Sequence, residues 1–344
     1  MGLQIKDVVK PREIDMNDLA DKVIAIDAYN MLYQFYTTIR QPDGTPLMDS
    51  RGNVTSHLSG LFNRVSILLQ KKIKPVFIFD GVPHELKKKE LERRKELKQQ
   101  AQKEYERAKE EKDIEGMKKY ASRTSKLTQE MVEEAKTLLS LMGVPVLKAP
   151  SEGEAQAAHM AKKKDAYAVS SQDFDSLLFG APVLLRNISV TGKRKKANSP
   201  VYTNVKPETI SLSETLNSLG IDHDQLIAFG MLIGTDFNIG GIKGIGPSKG
   251  IKLIKKYAHD YDALFSEAKW DEYFPFPWQE VYNALKNVPV TDDYSLEWGM
   301  PNNEKIIEML CTGYDFSRDR IESQLQKLEK SIGSRKQKGL GDFF

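Results

Sequence analysis

The sequence predicts an α/β fold with a central, mostly parallel sheet flanked by helices. Two short apolar runs, residues 23–27 and 75–80, each end abruptly at an aspartate, and a weaker run covers 166–170. Continuous apolar runs of this length are typical of strands buried on both faces of a parallel sheet. Helical patterns over 54–72 and 128–142 lie between them. Strands that alternate with helices at this spacing indicate crossover connections.

Composition and charge exclude several classes of protein. The 344 residues carry 51 Lys and Arg against 48 Asp and Glu, and 40% are hydrophobic, a balance typical of globular proteins. The single cysteine, Cys311, excludes an intramolecular disulfide and a cysteine-built metal site, and it fits a reducing intracellular compartment. There is no run of 18 apolar residues, and the first residues lack the apolar core of a signal peptide. We therefore predict no membrane segment.

A long basic stretch, residues 84–130, interrupts the alternation of strands and helices. Between Leu86 and Lys126 it carries 15 Lys and Arg against 9 Asp and Glu, in a helix-favouring sequence with few apolar residues. This pattern is typical of a solvated helical hairpin inserted into a fold. It also fits a basic arm above a nucleic-acid path, and the composition leaves both interpretations open.

Two further segments carry clustered positive charge. Residues 193–196 are four consecutive basic residues, which we interpret as a solvated hairpin tip. Residues 225–257 show two helical patterns joined by a glycine-rich link, in which Pro247 suits the first turn of the second helix. Backbone amides at such a helix start attract anions. We predict a helix–hairpin–helix that binds a DNA phosphate backbone, with an ordinary helical hairpin as the alternative; the basic residues are Lys243, Lys249, Lys252, Lys255 and Lys256.

Seven acidic residues lie in short motifs at or after the predicted strands. Open α/β sheets place their sites beyond the carboxyl ends of the strands, so these groups can converge. Seven carboxylates in one cleft repel each other unless cations neutralise them. All-oxygen ligands favour Mg²⁺ or Mn²⁺ over Zn²⁺, and two such ions suit the hydrolysis of a phosphodiester. The seven are Asp27, Asp80, Glu152, Glu154, Asp173, Asp175 and Asp236.

Each acid also has a purely structural interpretation. Ser151 and Glu154 match a capping box at the start of an alanine-rich helix. An aspartate at a strand end, such as Asp27 or Asp80, is common in turns. Asp236 could simply cap the helix before it. The prediction of a metal site therefore depends on the whole set.

Five motifs occur in a characteristic order before the glycine-rich link: Ile26–Ala28, Phe77–Gly81, Ala149–Ala155, Ser171–Asp175 and Gly234–Asn238. Together they resemble the flap endonuclease family, part of the structure-specific 5′ nucleases. The likeness runs from Met1 to Phe344 and is nearest to the archaeal type. It implies a PIN-like 5′ nuclease fold in which 84–130 is a helical arch that a single-stranded 5′ flap threads beneath.

The resemblance also implies roles for the acids. Asp27, Asp80, Glu152 and Glu154 would serve one Mg²⁺. Asp173 and Asp175 would serve a second, with Asp236 beside them. Mn²⁺ is a possible substitute, and the family places a monovalent cation at the helix–hairpin–helix.

Further residues match positions that contact DNA in the family. Lys87 and Arg94 match a basic pair at the scissile phosphate, and Tyr33 matches an aromatic that stacks on a base near the cleavage point. Gly2 becomes the N-terminus if Met1 is removed, close to the site. The hairpin contacts to DNA would come from Lys243, Gly244, Gly246, Lys249 and Lys252.

The last residues, 331–344, predict a flexible tail with a partner. Two terminal phenylalanines after a polar linker are poorly placed to complete a core. By resemblance they belong to a motif for the sliding clamp, PCNA, made of Gln337, Leu340, Phe343 and Phe344.

The expected protein is thus a single nuclease domain, 1–330, followed by that tail. It would be a cytoplasmic monomer that cleaves 5′-flap and branched duplex DNA, with 5′–3′ exonuclease activity, in Okazaki fragment maturation, replication and repair. A 5′ exonuclease of the same group is the nearest alternative. From other classes, a non-catalytic DNA-structure binder is disfavoured because acids facing phosphates would weaken binding. A metal-dependent phosphatase is disfavoured by the basic stretch and the glycine hairpin.

Overall fold

The computed structural model describes residues 3–111, 113–121, 126–189, 192–195 and 202–341. Nine strands are assigned within these ranges. Their bounds are β1 (Arg12–Glu13), β2 (Val23–Asp27), β3 (Lys74–Phe79), β4 (Val146–Lys148), β5 (Ala168–Ser170), β6 (Val183–Arg186), β7 (Gly192–Lys195), β8 (Tyr202–Val205) and β9 (Glu208–Ser211).

Helices make up most of the remaining described residues. Those in the first half of the chain are α1 (Ala28–Thr38), α2 (Ser56–Gln70), α3 (Lys88–Glu110), α4 (Ile114–Ala121), α5 (Gln129–Leu141), α6 (Gly153–Lys162) and α7 (Asp175–Leu178). Those in the second half are α8 (Leu212–Leu219), α9 (His223–Ile233), α10 (Pro247–Tyr257), α11 (Tyr261–Glu267), α12 (Trp270–Tyr273), α13 (Trp278–Lys286), α14 (Asn303–Ile307) and α15 (Arg318–Gly341).

The strands form one seven-stranded sheet and a separate hairpin. The order in the sheet is β1-β9-β6-β5-β2-β3-β4, in which the strands from β6 to β4 pair in parallel and β9 pairs antiparallel with both β6 and the edge strand β1. The prediction of a mostly parallel sheet is confirmed. From β2 the chain first runs outward through β3 and β4, then returns to place β5 on the other side of β2, so the strand order reverses between β2 and β5.

Helices cover both faces of the sheet, which explains the continuous apolar strands. Along β2, Ile24 and Ile26 pack into a core with α1, α2 and α5, while Ala25 packs into a second core with α6 and α9. All three residues are fully buried. Burial on both faces stabilises the central strands and fixes their register. Among the described helices, none combines the length and apolar composition needed to cross a bilayer.

The basic stretch forms the short turn Glu85–Lys87 followed by a two-helix hairpin of α3 and α4, and we call the turn and the hairpin together the arch. Its long helix α3 buries only three residues, Glu90, Ala101 and Ala108. The helix is therefore largely solvated, as its composition predicted. The arch is joined to the sheet at the turn Glu85–Lys87, which follows β3 and Asp80.

Two predicted segments differ in form from the structure. Lys193, Arg194 and Lys195 belong to strand β7, paired with β8, rather than to a loop tip; Lys196 lies outside the described residues. The backbone of 331–341 continues α15, where the sequence predicted a flexible tail. Ser331 donates a 2.9 Å hydrogen bond to the carbonyl of Gln70 at the end of α2.

Candidate metal and nucleic-acid site

Four of the predicted acids stand at the carboxyl end of the parallel strands. Asp27 is the last residue of β2, is nearly fully buried, and accepts a 3.0 Å hydrogen bond from the amide of Asn30, which caps α1. Asp80 follows β3, and Asp173 and Asp175 follow β5. Because the strand order reverses between β2 and β5, this edge is where an open α/β sheet forms its ligand crevice.

Two more acids come from the start of α6. The helix begins at Gly153 with Glu152 in the N-cap position and without a side-chain cap, so the alternative interpretation of Ser151 and Glu154 as a capping box is wrong. The amide of Gly153 instead donates to Asp80 Oδ1 at 2.7 Å. A Cβ at position 153 would lie 2.8 Å from that oxygen, so the approach requires glycine. The end of β3, rather than a serine, satisfies this helix start.

Asp175 and Asp236 complete the cluster. Asp175 is the first residue of α7 and accepts a 2.7 Å hydrogen bond from the amide of Leu3, which ties the N-terminal segment to the site. Asp236 lies in the turn after α9, where Thr235 Oγ1 donates to Asn238 Oδ1 at 2.7 Å. The carboxylate of Asp236 binds the arch and does not cap α9, which ends at a glycine.

Burial and mutual repulsion raise the pKa values of these acids. Loss of water, and then the charge of Asp80, raise the pKa of Asp27 from 3.8 to about 8. Burial and the charge of Asp236 raise the pKa of Asp175 to about 7. Burial and Glu152 raise the pKa of Asp80 to about 6, although its side chain opens to solvent. Full ionisation of the cluster at neutral pH is therefore unfavourable without cations.

Two basic residues from the arch reach the acids. The ammonium of Lys87 is 2.5 Å from Glu152 and 3.8 Å from Asp236. Arg94, two helical turns further, donates from Nη2 to Asp236 Oδ2 at 2.7 Å. Burial lowers the pKa of Lys87, but Glu152 and Asp236 outweigh it and raise the pKa above the ordinary value. Lys87 is thus charged at any physiological pH.

Sequence reasoning missed Asn30, which hydrogen-bonds both to Asp27 at the end of β2 and to Asp173 after β5. Its Nδ2 donates to Asp173 Oδ2 at 3.1 Å, and its Oδ1 accepts from the amide of Gln172 at 3.2 Å. Its own amide donates to Asp27. The spacing of three residues after Asp27 signals the capping contact. No sequence signal indicates the contact with Asp173, which is 143 residues away.

The oxygen-rich crevice fits hard divalent cations. In the described part of the chain, no three acidic, histidine or cysteine side chains lie close enough to enclose one ion. Glu154 nevertheless has the properties of a ligand, since its buried Oε1 has no hydrogen-bond partner among those residues. Burial, and then the charges of Asp175, Asp27 and Asp173, raise its pKa, so a neighbouring cation would relieve the cost of ionising it.

Tyr33 offers an exposed ring next to the arch. It lies on α1 with 38% of its surface exposed, and the ammonium of Lys98 on α3 lies 5.3 Å from the ring centre. An accessible ring beside a cation is a surface on which a nucleic-acid base can stack.

Helices α9 and α10 and the link 234–246 form the predicted helical hairpin. A Cβ on Gly241, whose φ is +58°, would lie 2.4 Å from the nitrogen of Gly234, so the link closes only with glycine. Gly244 and Gly246 are exposed, and a Cβ on either would meet no atom within 4 Å. This turn is open to an approaching backbone, and the predicted lysines around it are all exposed: Lys243, Lys249 and Lys252.

Five predicted contact residues are not fully described. Gly2, Phe343 and Phe344 lie outside the described residues. Gln337 and Leu340 belong to α15 by their backbone, and their side chains are not described. The N-terminal and clamp-binding contacts therefore remain predictions.

Comparison with known proteins identifies the family. The profile of the XPG N-terminal domain matches residues 2–101, and that of the XPG I-region matches 143–236. Flap endonuclease 1 of Thermococcus onnurineus is 48% identical over all of this chain and 99% of its own length. Flap endonuclease 1 of Hyperthermus butylicus is 50% identical over 96% of this chain and 95% of its own.

Solved structures agree with this assignment. Flap endonuclease-1 from Methanococcus jannaschii superposes with a TM-score of 0.76 at 40% identity, covering 97% of this chain and 100% of its own. The catalytic core of Rad2 in complex with DNA substrate shares the fold, with a TM-score of 0.70 at 24% identity over 95% of this chain and 100% of its own. The acids at the strand ends, the arch and the helical hairpin thus belong to a chain that is a member of the flap endonuclease family.

Proposed function

We propose that this protein is a structure-specific 5′ flap endonuclease acting in DNA replication and repair. It hydrolyses a phosphodiester near the junction of a 5′ single-stranded flap with duplex DNA, and it also removes nucleotides as a 5′–3′ exonuclease. One observation carries the proposal. Two cations of the arch, Lys87 and Arg94, form ion pairs with carboxylates of the acidic cluster, which lies where the strand order of the sheet reverses. A binding module would have no use for acids facing DNA phosphates.

The acids would hold two Mg²⁺ ions, for which Mn²⁺ can substitute. Asp27, Asp80, Glu152 and Glu154 are the proposed ligands of one ion. Asp173 and Asp175 are those of the other, with Asp236 beside them. Bound there, the ions supply an activated water and stabilise the charge on the leaving oxygen. Asn30 and the amides of Gly153 and Leu3 keep the carboxylates in place through the hydrogen bonds that the structure shows.

The arch residues provide positive charge where the reaction develops negative charge. In the structure, Lys87 is paired with Glu152 and Arg94 with Asp236. A phosphate in the crevice can replace the carboxylates as the acceptor of hydrogen bonds from this ammonium and guanidinium, which then stabilise the transition state. Tyr33 would stack on a base next to the scissile bond and hold it unpaired.

The decisive experiment uses a duplex with an end-labelled 5′ flap. We expect a single incision product near the junction with Mg²⁺ and none with EDTA. Release of the labelled end as a mononucleotide, without this incision product, would instead favour the exonuclease. Binding of the flap without cleavage under any divalent ion would favour a non-catalytic binder.

The helical hairpin is the proposed contact with the duplex backbone. Its open glycine turn and exposed lysines suit phosphates in any sequence, and a monovalent cation there remains a prediction. Lys256 differs from the other lysines because Glu267 already pairs with it at 2.5 Å.

Replacing Lys243, Lys249 and Lys252 together by alanine is expected to weaken DNA binding and leave the single-turnover rate at saturation unchanged. The slope of log K against log salt is negative, and loss of three phosphate contacts reduces its magnitude by up to about 2.7. Fluorescence anisotropy with flap DNA over a salt series measures this slope. Lys256→Ala is the matched control and should alter the slope little. An unchanged slope in the triple variant would remove the hairpin from the DNA path.

The C-terminal residues are the proposed attachment to the sliding clamp. Replacing Phe343 and Phe344 by alanine is expected to leave cleavage of a free flap unchanged and to weaken clamp binding more than tenfold, because each buried aromatic at an interface centre contributes about 2 kcal/mol or more. Calorimetry against the cognate clamp measures the affinity. Equal dissociation constants for wild type and variant would exclude this motif.

A further inference from the structure

The arch contains one buried carboxylate outside the acidic cluster. Glu90 lies in the first turn of α3 and is only 3% exposed, although the rest of this helix buries nothing but two alanines. A carboxylate is rarely buried on a solvated helix unless strong partners compensate for the lost water. The residues that bury Glu90 therefore indicate what it does.

Its partners are the two arginines that follow it in the chain. Arg93 donates to both oxygens of Glu90, at 2.7 and 2.8 Å, and Arg94 donates from Nε to Oε1 at 2.6 Å. A second nitrogen of the same guanidinium, Nη2 of Arg94, donates to Asp236 at 2.7 Å. Arg94 is thus held through Nε by Glu90 and presents Nη2 to the acidic cluster.

We infer that Glu90 is a positioning residue that orients Arg94 for the transition state of cleavage. A free arginine on a solvated helix samples many rotamers, and fixing one of them costs conformational entropy. The bond from Nε to Glu90 removes most of this freedom in advance and, because the guanidinium is planar, also directs the Nη atoms. When a phosphate displaces Asp236, Glu90 can retain Nε. This inference rests on the proposed function.

Electrostatics separates this role from simple binding. A carboxylate beside the DNA path repels phosphates, so Glu90 lowers the affinity for DNA wherever it acts through charge. Removing it should leave DNA binding equal or tighter and still slow the reaction. The alternative is a purely structural role for Glu90. An acid in the first turn of α3 stabilises the helix by its interaction with the helix dipole and need take no part in the reaction.

The test is a double-mutant cycle in single-turnover cleavage of a 5′ flap with Mg²⁺. Glu90→Ala is expected to slow the rate about 10- to 100-fold, the usual effect of losing a group that orients a functional side chain. Affinity for flap DNA should be unchanged or tighter. In the Arg94→Ala background, Glu90→Ala should change the rate by less than about threefold, because the two residues act through one interaction.

Two further variants keep the result interpretable. Glu85→Ala removes the same charge from the same end of the arch, where Glu85 is exposed and pairs with Lys88 at 2.8 Å; its rate should match wild type. Glu90→Gln retains an acceptor for Arg94 and should lose less activity than Glu90→Ala, and it replaces that variant if alanine disrupts folding.

Multiplicative effects of Glu90→Ala and Arg94→Ala would overturn the inference and leave the helix-dipole role. A rate for Glu90→Ala equal to wild type would overturn it as well. Cleavage by wild-type protein in the same assay separates either outcome from failure of the proposed function.

Discussion

Asp175→Asn is expected to abolish flap cleavage and, in the absence of metal, to make the protein more stable. The side chain is nearly fully buried, and the charges of Asp236 and Asp173 oppose its ionisation. As a proposed metal ligand it supplies several kcal/mol of transition-state stabilisation, so the rate should fall at least about 10³-fold. Asparagine keeps the shape and can still accept the hydrogen bond from Leu3. Single-turnover cleavage with Mg²⁺ measures the loss.

The stability of the same variant follows from the raised pKa values. An acid whose pKa is higher in the folded state binds its proton more tightly there, so stability falls as pH rises from the unfolded value of 3.8 to the folded value. For Asp175 and Asp27 that window ends at about 7 and about 8. In EDTA, the wild-type melting temperature should fall across this range on account of these groups. Asp175→Asn should flatten the decline and melt about 2 °C or more higher at pH 8.

Mg²⁺ provides the control for this pair of effects. The ion should stabilise wild type at pH 8 and stabilise Asp175→Asn less, because stabilisation by a ligand grows with the logarithm of its affinity for the folded state. If Asp175→Asn cleaved at nearly the wild-type rate, and Mg²⁺ raised the melting temperature of both proteins equally, Asp175 would be excluded from the metal site.

The sequence predicted the three central strands of the sheet, β2, β3 and β5, because their residues are buried on both faces. The runs around Ile26 and Phe77 could hardly form anything other than inner parallel strands, and their terminal aspartates gave the position of the crevice. The other four strands of the sheet, β1, β4, β6 and β9, were not predicted. Each has only two to four residues, which is too short to give a periodic signal.

The candidate site divides in the same way. Acids in short motifs can be recognised from local sequence, and the structure places all seven in one interacting cluster. Contacts that depend on distant parts of the chain could not be predicted, and Asn30 with Asp173 is one case. The capping box failed for a related reason. Ser151 is compatible with it locally, but Asp80, which follows β3 and lies 73 residues before Gly153, accepts the hydrogen bond from the helix amide.

Lys87→Ala should affect stability in the opposite direction to Asp175→Asn. The side chains of Lys87 and Glu152 are 14% and 13% exposed and make a close ion pair, so removing the ammonium leaves a carboxylate among other acids. Metal-free protein should therefore melt at a lower temperature than wild type. Mg²⁺ should restore more stability to this variant than to wild type, because the ion replaces the lost positive charge. Thermal unfolding in EDTA and in Mg²⁺ gives both differences.

The same substitution distinguishes chemistry from DNA binding. One phosphate contact among many contributes little to affinity, so the dissociation constant for flap DNA should change by less than about threefold. A positive charge that acts on the transition state contributes far more to the rate, and we expect single-turnover cleavage to slow about 10²- to 10³-fold. Lys88→Ala is the matched control, since its neighbouring ammonium is 62% exposed and pairs only with Glu85 among the described contacts. Equal losses of rate and affinity for Lys87→Ala would show that it only holds the DNA.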